Sequence, residues 1–196
     1  MLVWGHGRDN ELLERFRSGD RDAFTAIYRA HQPAVFRFVL HMAADYDKAT
    51  EITQDVFVWL IHNVAAYDPE RGELGSFLIG VARKKLQRQW YADRRWVSLE
   101  GQPEPSSDHR VGPEQDESDS QRLRAAIAAL PERYREAVVL CDLEEKSYEG
   151  AAAAIGCAVG TVRSRLHRAR GLLMRKLRGT KVEEVVQETE SVGWPA

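Results

Sequence analysis

Lysine and arginine side chains that could bind an anionic partner are concentrated near the end of the chain. Residues 158–178, AVGTVRSRLHRARGLLMRKLR, contain seven lysines and arginines and no acidic residue. Clustered like charge costs stability unless a polyanion offsets it, and a merely solvated helix usually alternates sign to form i,i+4 pairs. The stretch therefore indicates a nucleic-acid-binding surface. A basic, solvated helix of a small bundle is the alternative.

The same stretch has two faces when it is placed on a helix. Val162, Leu166, Ala169 and Leu173 recur at the spacing of a face packed on a core. The opposite face carries small, polar and cationic side chains, which suit a DNA major groove because arginine can pair with a guanine edge there. The candidate base-reading residues are Thr161, Arg163, Ser164, His167 and Arg168.

A shorter helix precedes the basic one. Ser147 is a capping residue at its start, and Gly156 is placed to end it, as glycine often does just after a helix. The basic helix begins three residues later. A helix, a short turn with glycine and a basic amphipathic helix form the layout of a helix-turn-helix.

Amphipathic helices also account for the first half of the chain. Residues 10–43 have helical periodicity interrupted at Gly19-Asp20, where an aspartate can cap the next helix, and Pro33 marks a kink or a fresh first turn. In residues 44–66 we expect an inner stripe made of Ile52, Val56, Trp59, Leu60 and Val64, widened by Phe57 and Ile61. The polar face of this segment offers Glu51, Gln54, Asp55 and Asn63.

The segment 74–95 begins apolar and ends basic and aromatic, after a turn-rich loop at residues 67–72. Cations neutralise phosphates and flat rings stack on unpaired bases, so this end suits nucleic acid. Cations that merely favour the helix dipole are the alternative. The residues concerned include Arg83, Lys84, Arg88 and Trp90.

Charge is segregated along the chain. Residues 97–120 carry a net charge of −6 and residues 121–178 a net +6, although the whole chain carries −2. The acidic segment also has three prolines and no periodicity, which is typical of a flexible linker. We expect an all-α protein with two small helical domains, residues 9–96 and 121–178, joined by this linker. The acidic tail, residues 179–196, has the composition of a disordered segment, with a docked regulatory element as the alternative.

Composition argues against several classes of protein. The opening residues meet charge at once, and nothing resembles a membrane span or a secretory signal, so a cytoplasmic protein without membrane insertion is expected. Two cysteines, Cys141 and Cys157, are too few for a disulfide scaffold and are expected to be buried free thiols. No spacing suggests a metal site, and no constellation suggests an enzyme, so we expect no cofactor.

Several segments resemble the extracytoplasmic-function group of bacterial sigma factors. In the second half these are LPERYREAVVL and LEEKSYEGAAAAIGCAVGTVRSRLHRARGLL. In the first half they are LLERFRSGDRDAFTAIYRAHQPAVFRFV, ATEITQDVFVWLI and FLIGVARK. The resemblance covers residues 11–95 and 121–177. Two separate modules match in the family's order, which is more specific than either motif alone.

The resemblance implies a protein that binds the RNA polymerase core and directs it to promoters. It implies that the N-terminal domain reads and melts the −10 element, and that the C-terminal domain docks on the −35 element. The implied polymerase contacts are Glu51, Gln54 and Asp55. The implied −10 contacts are Tyr67 with the loop to Glu73, and Arg83, Lys84, Arg88 and Trp90. The implied −35 contacts are Arg163, Ser164, His167 and Arg168.

The family is usually restrained by an anti-sigma factor, which is a further partner to expect. Four positions depart from the family's pattern: Lys84 and Phe77 stand where asparagine and tryptophan are frequent, and Ala151 and Ala158 stand where a bulkier residue and a capping serine are usual. Two alternatives to a sigma factor are a stand-alone helix-turn-helix regulator and a decoy that binds polymerase without reading DNA.

Overall fold

The computed structural model describes the backbone of residues 6–100 and 119–191, and the side chains of residues 7–92 and 119–178. Every regular element in these ranges is helical, which confirms the predicted fold class. The α-helices in chain order are α1 (His6–Arg17), α2 (Arg21–Ala43), α3 (Tyr46–His62), α4 (Leu74–Glu100), α5 (Asp119–Ala128), α6 (Glu132–Val138), α7 (Tyr148–Ile155) and α8 (Val159–Ser191). Two 3₁₀ turns, Val64–Ala66 and Pro69–Arg71, precede α4, and a π-helical segment, Val139–Leu143, continues α6.

Helices α1 to α4 pack against one another, and we call them the N-terminal domain. Asp20 caps α2 as predicted, because its carboxylate accepts hydrogen bonds from the backbone N–H groups of Asp22 and Ala23 at 2.9 and 3.2 Å. Pro33 lies inside α2, which continues on both sides, so this proline does not open a new helix. The buried centre includes Phe38 of α2 and the matching apolar residues of α3 and α4, namely Ile52, Leu60, Leu78 and Leu86.

The inner stripe of α3 is mostly as predicted. Ile52, Val56 and Phe57 are buried with Leu60. The prediction for Ile61 was wrong, because 43% of this residue is exposed. On a helix Ile61 lies about 140° from Val56, nearly opposite the stripe.

Helices α5, α6 and α7 pack against α8, and we call these four helices the C-terminal domain. The predicted stripe on α8 is confirmed, since Val162, Leu166, Ala169 and Leu173 are all buried. The hydroxyl of Ser147 accepts a hydrogen bond from the N–H of Gly150 at 3.0 Å and caps α7. Gly156 ends α7 with φ of 76°, in the left-handed region that favours glycine.

The turn between α7 and α8 has three residues, 156–158, and gives the helix-turn-helix layout expected from the sequence. Ala158 precedes α8 and has no side-chain oxygen to cap it. Only its backbone carbonyl takes part, accepting hydrogen bonds from the N–H groups of Thr161 and Val162 at 2.9 and 3.3 Å. The start of α8 is therefore held by the backbone and by the buried stripe.

Both ends of the predicted linker are helical. Helix α4 continues to Glu100 and α5 begins at Asp119, while residues 101–118 lie outside the described ranges. The acidic tail was predicted to be disordered from Gly179 onward. This prediction was wrong for residues 179–191, because α8 continues to Ser191. Residues 180–191 contain no proline or glycine, so they can extend a helix that is already nucleated. Residues 192–196 lie outside the described ranges.

Candidate nucleic-acid and polymerase interfaces

The outward face of α8 presents the predicted −35 readers together. Arg163, Ser164, His167 and Arg168 are all exposed, and Thr161 is half-buried at the start of the helix. The buried stripe through Val162 fixes the rotation of α8, so these side chains necessarily point away from the core. The face combines cations with hydroxyl and imidazole groups, which can bond both phosphates and base edges.

Two tyrosines that the sequence analysis missed contact this face. The guanidinium carbon of Arg163 lies 5.4 Å from the centre of the Tyr148 ring, within range of a cation–π interaction. A hydrogen bond from Arg168 lowers the pKa of Tyr134. Both tyrosines lie on the preceding helices of the domain, so they restrict where the arginines can reach.

Two further cations of α8 are engaged by acids of their own domain. Arg170 donates to Asp142 through Nη2 and Nε, at 2.6 and 3.2 Å. Arg165 Nη1 lies 3.9 Å from a carboxylate oxygen of Glu136. The sequence analysis counted both arginines among the seven cations of a nucleic-acid-binding surface. The exposed cationic surface of α8 is therefore smaller than seven basic residues suggest.

The basic end of α4 is divided between solvent and packing. Lys84 and Arg88 are exposed, whereas Trp90 is half-buried against the core. Arg83 donates a hydrogen bond from Nε to Glu136 of the C-terminal domain. Of the predicted −10 contacts on α4, Lys84 and Arg88 are thus exposed to solvent, whereas Arg83 is held in a hydrogen bond.

Tyr67 lies beneath the loop that precedes α4. It is 4% exposed, and its hydroxyl donates a hydrogen bond to the carbonyl of Gly72 at 3.0 Å. Its ring centre lies 5.4 Å from that of Phe77, and burial raises the pKa of its hydroxyl. Tyr67 is not brought to the surface with Lys84 and Arg88, because its apolar ring is packed and its one donor is satisfied.

The predicted polymerase contacts lie on one exposed face of α3. Glu51, Gln54 and Asp55 are all exposed, and Lys85 Nζ lies 3.2 Å from a carboxylate oxygen of Asp55. Val58 and Ile61 continue the same face at helical spacing and are 53% and 43% exposed. Apolar surface with a polar rim can mark a protein-binding site. The sequence analysis missed Val58 and misassigned Ile61.

The two domains pack against each other through α4 and α7. A methyl group added at Gly80 of α4 would lie 3.1 Å from the carbonyl oxygen of Ala154 in α7. A methyl added at Gly150 would lie 3.2 Å from the hydroxyl of Ser76. The helices therefore approach closely because small residues face each other. A cleft of about 690 Å³ remains between them and is lined by residues of both domains, including Lys84 and Cys157.

Polar contacts surround this packed region. Arg37 of α2 pairs with Glu144, Gln87 of α4 donates to Glu132 at 2.9 Å, and Arg135 donates to the carbonyl of Met42 at 2.8 Å. Glu136, which accepts the hydrogen bond from Arg83, is buried in the same region and is 1% exposed. Burial raises its carboxyl pKa, while the hydrogen bond from Arg83 works in the opposite direction. Its charge depends on the arginines around it.

Cys141 and Cys157 are free thiols and half-buried, so the prediction of free thiols is confirmed and full burial is not. Within residues 7–92 and 119–178 no group of three histidines, cysteines or acids is arranged to hold a metal ion. None of the helices in the part of the chain that the structure describes combines the length and apolarity needed to cross a bilayer.

Comparison with known proteins places two family models on the chain. The model described as Sigma-70 region 2 matches residues 27–97, and the one described as Sigma-70, region 4 matches residues 120–173. The chain is 34% identical over 164 residues to the ECF RNA polymerase sigma factor SigE of Mycolicibacterium smegmatis, covering 78% of this chain and 62% of that protein. It is 32% identical to the RNA polymerase sigma factor CarQ of Myxococcus xanthus, covering 80% of this chain and 90% of that protein.

A solved structure resembles most of the chain in fold. It is the sigma factor RpoE of Bartonella quintana in complex with the anti-sigma factor NepR. The TM-score is 0.69 at 27% sequence identity, and the match covers 79% of this chain and 96% of that one.

Proposed function

Because the chain belongs to the extracytoplasmic-function group of RNA polymerase sigma factors, we propose that three of its surfaces divide the recognition of core polymerase, the −10 element and the −35 element. The chain is a transcription initiation factor that binds RNA polymerase and directs it to promoters. It works in the cytoplasm, where these partners are, and leaves bond formation to the polymerase.

The exposed face of α8 is the −35 reader. The observation that carries this assignment is the helix-turn-helix geometry, in which the buried stripe turns Arg163, Ser164, His167 and Arg168 outward together. Each good contact from such a face to a base edge is worth about 1–3 kcal/mol of discrimination. Arg175 and Lys176, further along the exposed side, act on phosphates and contribute salt-dependent affinity with little sequence preference.

The −10 surface is built by α4 and the loop before it. Lys84 and Arg88 are exposed and contact the DNA backbone, and Arg83 joins them when its contact with Glu136 is released. Trp90 supports this surface from its half-buried position. Tyr67 shapes the loop from beneath through its hydrogen bond to Gly72, and it reaches a flipped base only if the loop rearranges.

The α3 face binds the core polymerase. Glu51, Gln54 and Asp55 supply acceptors and charge, and Val58 and Ile61 supply apolar area that is otherwise exposed to water. Such a combination of an apolar centre and a polar rim is usual in protein–protein interfaces. An anti-sigma factor is a further proposed partner, supported by the similarity to RpoE, which was solved with one.

Run-off transcription with core polymerase on genomic fragments tests the assignment. We expect Gln54→Ala with Asp55→Ala to weaken core binding, and Arg163→Ala with Arg168→Ala to leave core binding intact and to lose −35 selectivity. Indifference to the first pair, with DNA binding retained, would instead support a stand-alone regulator. Indifference to the second pair would support a decoy. Absence of both core binding and promoter-dependent transcripts would refute the sigma-factor assignment.

A further inference from the structure

We infer that Tyr134 of α6 is a positioning residue for the −35 reader. Its single side chain holds a base-reading arginine of α8, Arg168, and a phosphate-binding arginine of α6, Arg133. Neither Tyr134 nor Arg133 belongs to the outward face of α8. The inference rests on the proposed −35 function of that face and names a second helix, α6, that completes it.

The attachment of α6 to α8 is the first observation behind this inference. The two helices pack against each other, and Glu136 of α6 lies 3.9 Å from Arg165 of α8. Arg168 follows Arg165 by three residues, so it is the next side chain along the same side of α8. Helix α6 therefore borders the row of α8 that carries the proposed base readers.

The setting of the Tyr134 ring is the second observation. Ala137 and Val138 follow Tyr134 by three and four residues, so the three side chains lie on one side of α6. Ala137 and Val138 are buried, and Tyr134 is half-buried against the same core. Tyrosine has only two side-chain torsions, so packing of the ring also fixes the position of its hydroxyl at little cost in entropy.

The contact between Tyr134 and Arg168 is the third observation. Arg168 is exposed, and a hydrogen bond from its guanidinium lowers the pKa of the Tyr134 hydroxyl. An exposed arginine otherwise samples many rotamers, and ordering it against a DNA base reduces the affinity. Because Tyr134 restricts Arg168 before DNA arrives, part of that ordering is complete in the free protein.

The position of Arg133 is the fourth observation. Its side chain is exposed, and its guanidinium carbon lies 4.8 Å from the centre of the Tyr134 ring, within range of a cation–π interaction. Arg165 and Arg170, by contrast, are engaged by carboxylates. A planar guanidinium can stack on a ring and still donate hydrogen bonds from its edge. The ring does not cancel the charge of Arg133, so this side chain remains suited to a DNA phosphate.

Two substitutions of Tyr134 separate its two contacts. Tyr134→Phe removes the hydroxyl that holds Arg168 and keeps the ring beneath Arg133. Tyr134→Leu removes the hydroxyl and the ring, and keeps an apolar side chain against the core. Tyr46→Phe is the matched control, because it removes the hydroxyl of a tyrosine on α3 that is 66% exposed and belongs to the other domain.

The measurement uses the full chain assembled with core polymerase. The unmodified holoenzyme first selects its preferred sequence from promoter duplexes that are randomised at the −35 element. Competition binding to single-base variants then gives the base preference at each position, and Arg163→Ala and Arg168→Ala identify the positions that each arginine reads. Repeating the binding at several salt concentrations counts phosphate contacts, since each contributes a slope of about −0.9 to log K against log[salt].

We expect Tyr134→Phe to lower the base preference by about threefold, as for the loss of one hydrogen bond, at the position that Arg168→Ala relaxes. The position that Arg163→Ala relaxes should keep its preference. Adding Tyr134→Phe to Arg168→Ala should cause no further loss, because the two changes remove one contact.

The salt slope should respond to different variants. Tyr134→Phe should leave it unchanged, because the ring beneath Arg133 is retained. Arg133→Ala should reduce its magnitude by about one, and Tyr134→Leu should reduce it in the same direction. Tyr46→Phe should change neither the base preference nor the slope.

The outcomes against the inference are distinct from failure of the proposed function. Tyr134→Phe would overturn the positioning role if it relaxed every position equally, or if it spared the position read by Arg168. An unchanged salt slope in Arg133→Ala would overturn the phosphate contact. A holoenzyme that selects no −35 sequence would instead refute the proposed −35 face, and this inference with it.

Discussion

Arg37 and Glu144 are separated by 107 positions and meet in a two-pronged ion pair between the domains. Arg37 Nε and Nη2 lie 2.8 and 2.6 Å from the two carboxylate oxygens. The Glu144 side chain is 2% exposed, whereas about half of the Arg37 side chain remains in water. The hydrogen bonds to Glu144 raise the pKa of Arg37. The pair fixes the segment after α6 against α2.

Arg37→Ala should loosen this attachment. Glu144 would be left as a buried carboxylate without its partner. We expect the free energy of unfolding to fall by about 1–2 kcal/mol. This is near the low end for charged hydrogen bonds, because solvent partly screens Arg37. Urea denaturation measures the loss. Arg29→Ala, an exposed arginine of the same helix, should cost less than about 0.5 kcal/mol. Equal effects of the two changes would contradict a specific role for the pair.

Gly156→Ala should destabilise the helix-turn-helix. The residue has φ of 76°, which costs an L-residue about 1–2 kcal/mol. Gly171→Ala provides the opposite case, because that glycine lies within α8 and an added methyl meets nothing within 4 Å. It should stabilise by about 0.5–1 kcal/mol. Thermal unfolding distinguishes the two, and a gain from Gly156→Ala would show that the turn adopts another conformation in solution.

The apolar residues of the α3 face should contribute to polymerase binding. Val58→Asp with Ile61→Asp would place two charges in the proposed interface and weaken core affinity by at least about tenfold, since desolvating an unpaired charge is costly. Fold stability should change little because both residues are exposed. Met174→Asp on α8, at an equally exposed apolar side chain, is the control. Surface plasmon resonance with immobilised core polymerase measures the affinity of each variant. If Met174→Asp weakened binding as much as the two α3 changes, the added charge and not the α3 face would explain the loss.

Tyr148 should position Arg163 for base reading. Tyr148→Ala removes the ring beneath the guanidinium and should reduce discrimination between a −35 sequence and a scrambled one by about 0.5–1 kcal/mol. Tyr148→Phe keeps the ring and should retain the discrimination. Competition binding at fixed salt measures both. If phenylalanine were as damaging as alanine, the hydroxyl and not the ring would be the relevant group.

His41 should make stability depend on pH. Burial lowers its pKa below the ordinary 6.5, with smaller lowering effects from Arg37 and Arg124 and an opposing effect from Glu144. The neutral form is therefore favoured in the folded state, so its stabilising contribution is present above pH 6.5 and is lost as pH falls through the lowered pKa. Unfolding at a series of pH values should show this loss in the parent and a flatter profile in His41→Gln.

Local periodicity predicted much of the fold. The stripe from Val162 to Leu173 and the caps at Asp20 and Ser147 depend only on neighbours in sequence, and the structure has all of them. The outward positions of Arg163 and Arg168 followed from that stripe. Ile61 was misassigned because an apolar side chain near a stripe was counted as part of it, although its angle on the helix places it outside.

Long-range pairing could not be predicted in this way. Glu136 occurs in a helix with polar neighbours, where an acid is ordinarily solvated, and only the meeting of α4, α6 and α8 encloses it. Tyr67 occurs in a turn-rich loop, yet Phe77 and the Gly72 carbonyl bury it. In both cases the deciding contact comes from a tertiary arrangement that spacing along one helix does not encode.

The composition of the α4–α7 interface sets how its opening responds to conditions. Gly80, Gly150 and the alanines of α7 contribute little apolar area each, whereas Arg37, Arg83 and Glu136 contribute charges. The side chains of Glu136 and Glu144 are 1% and 2% exposed, so salt screens their ion pairs with Arg83 and Arg37 only weakly while the helices are packed. The packing of α7 on α4 should therefore persist at salt concentrations that weaken ion pairs on the open surface.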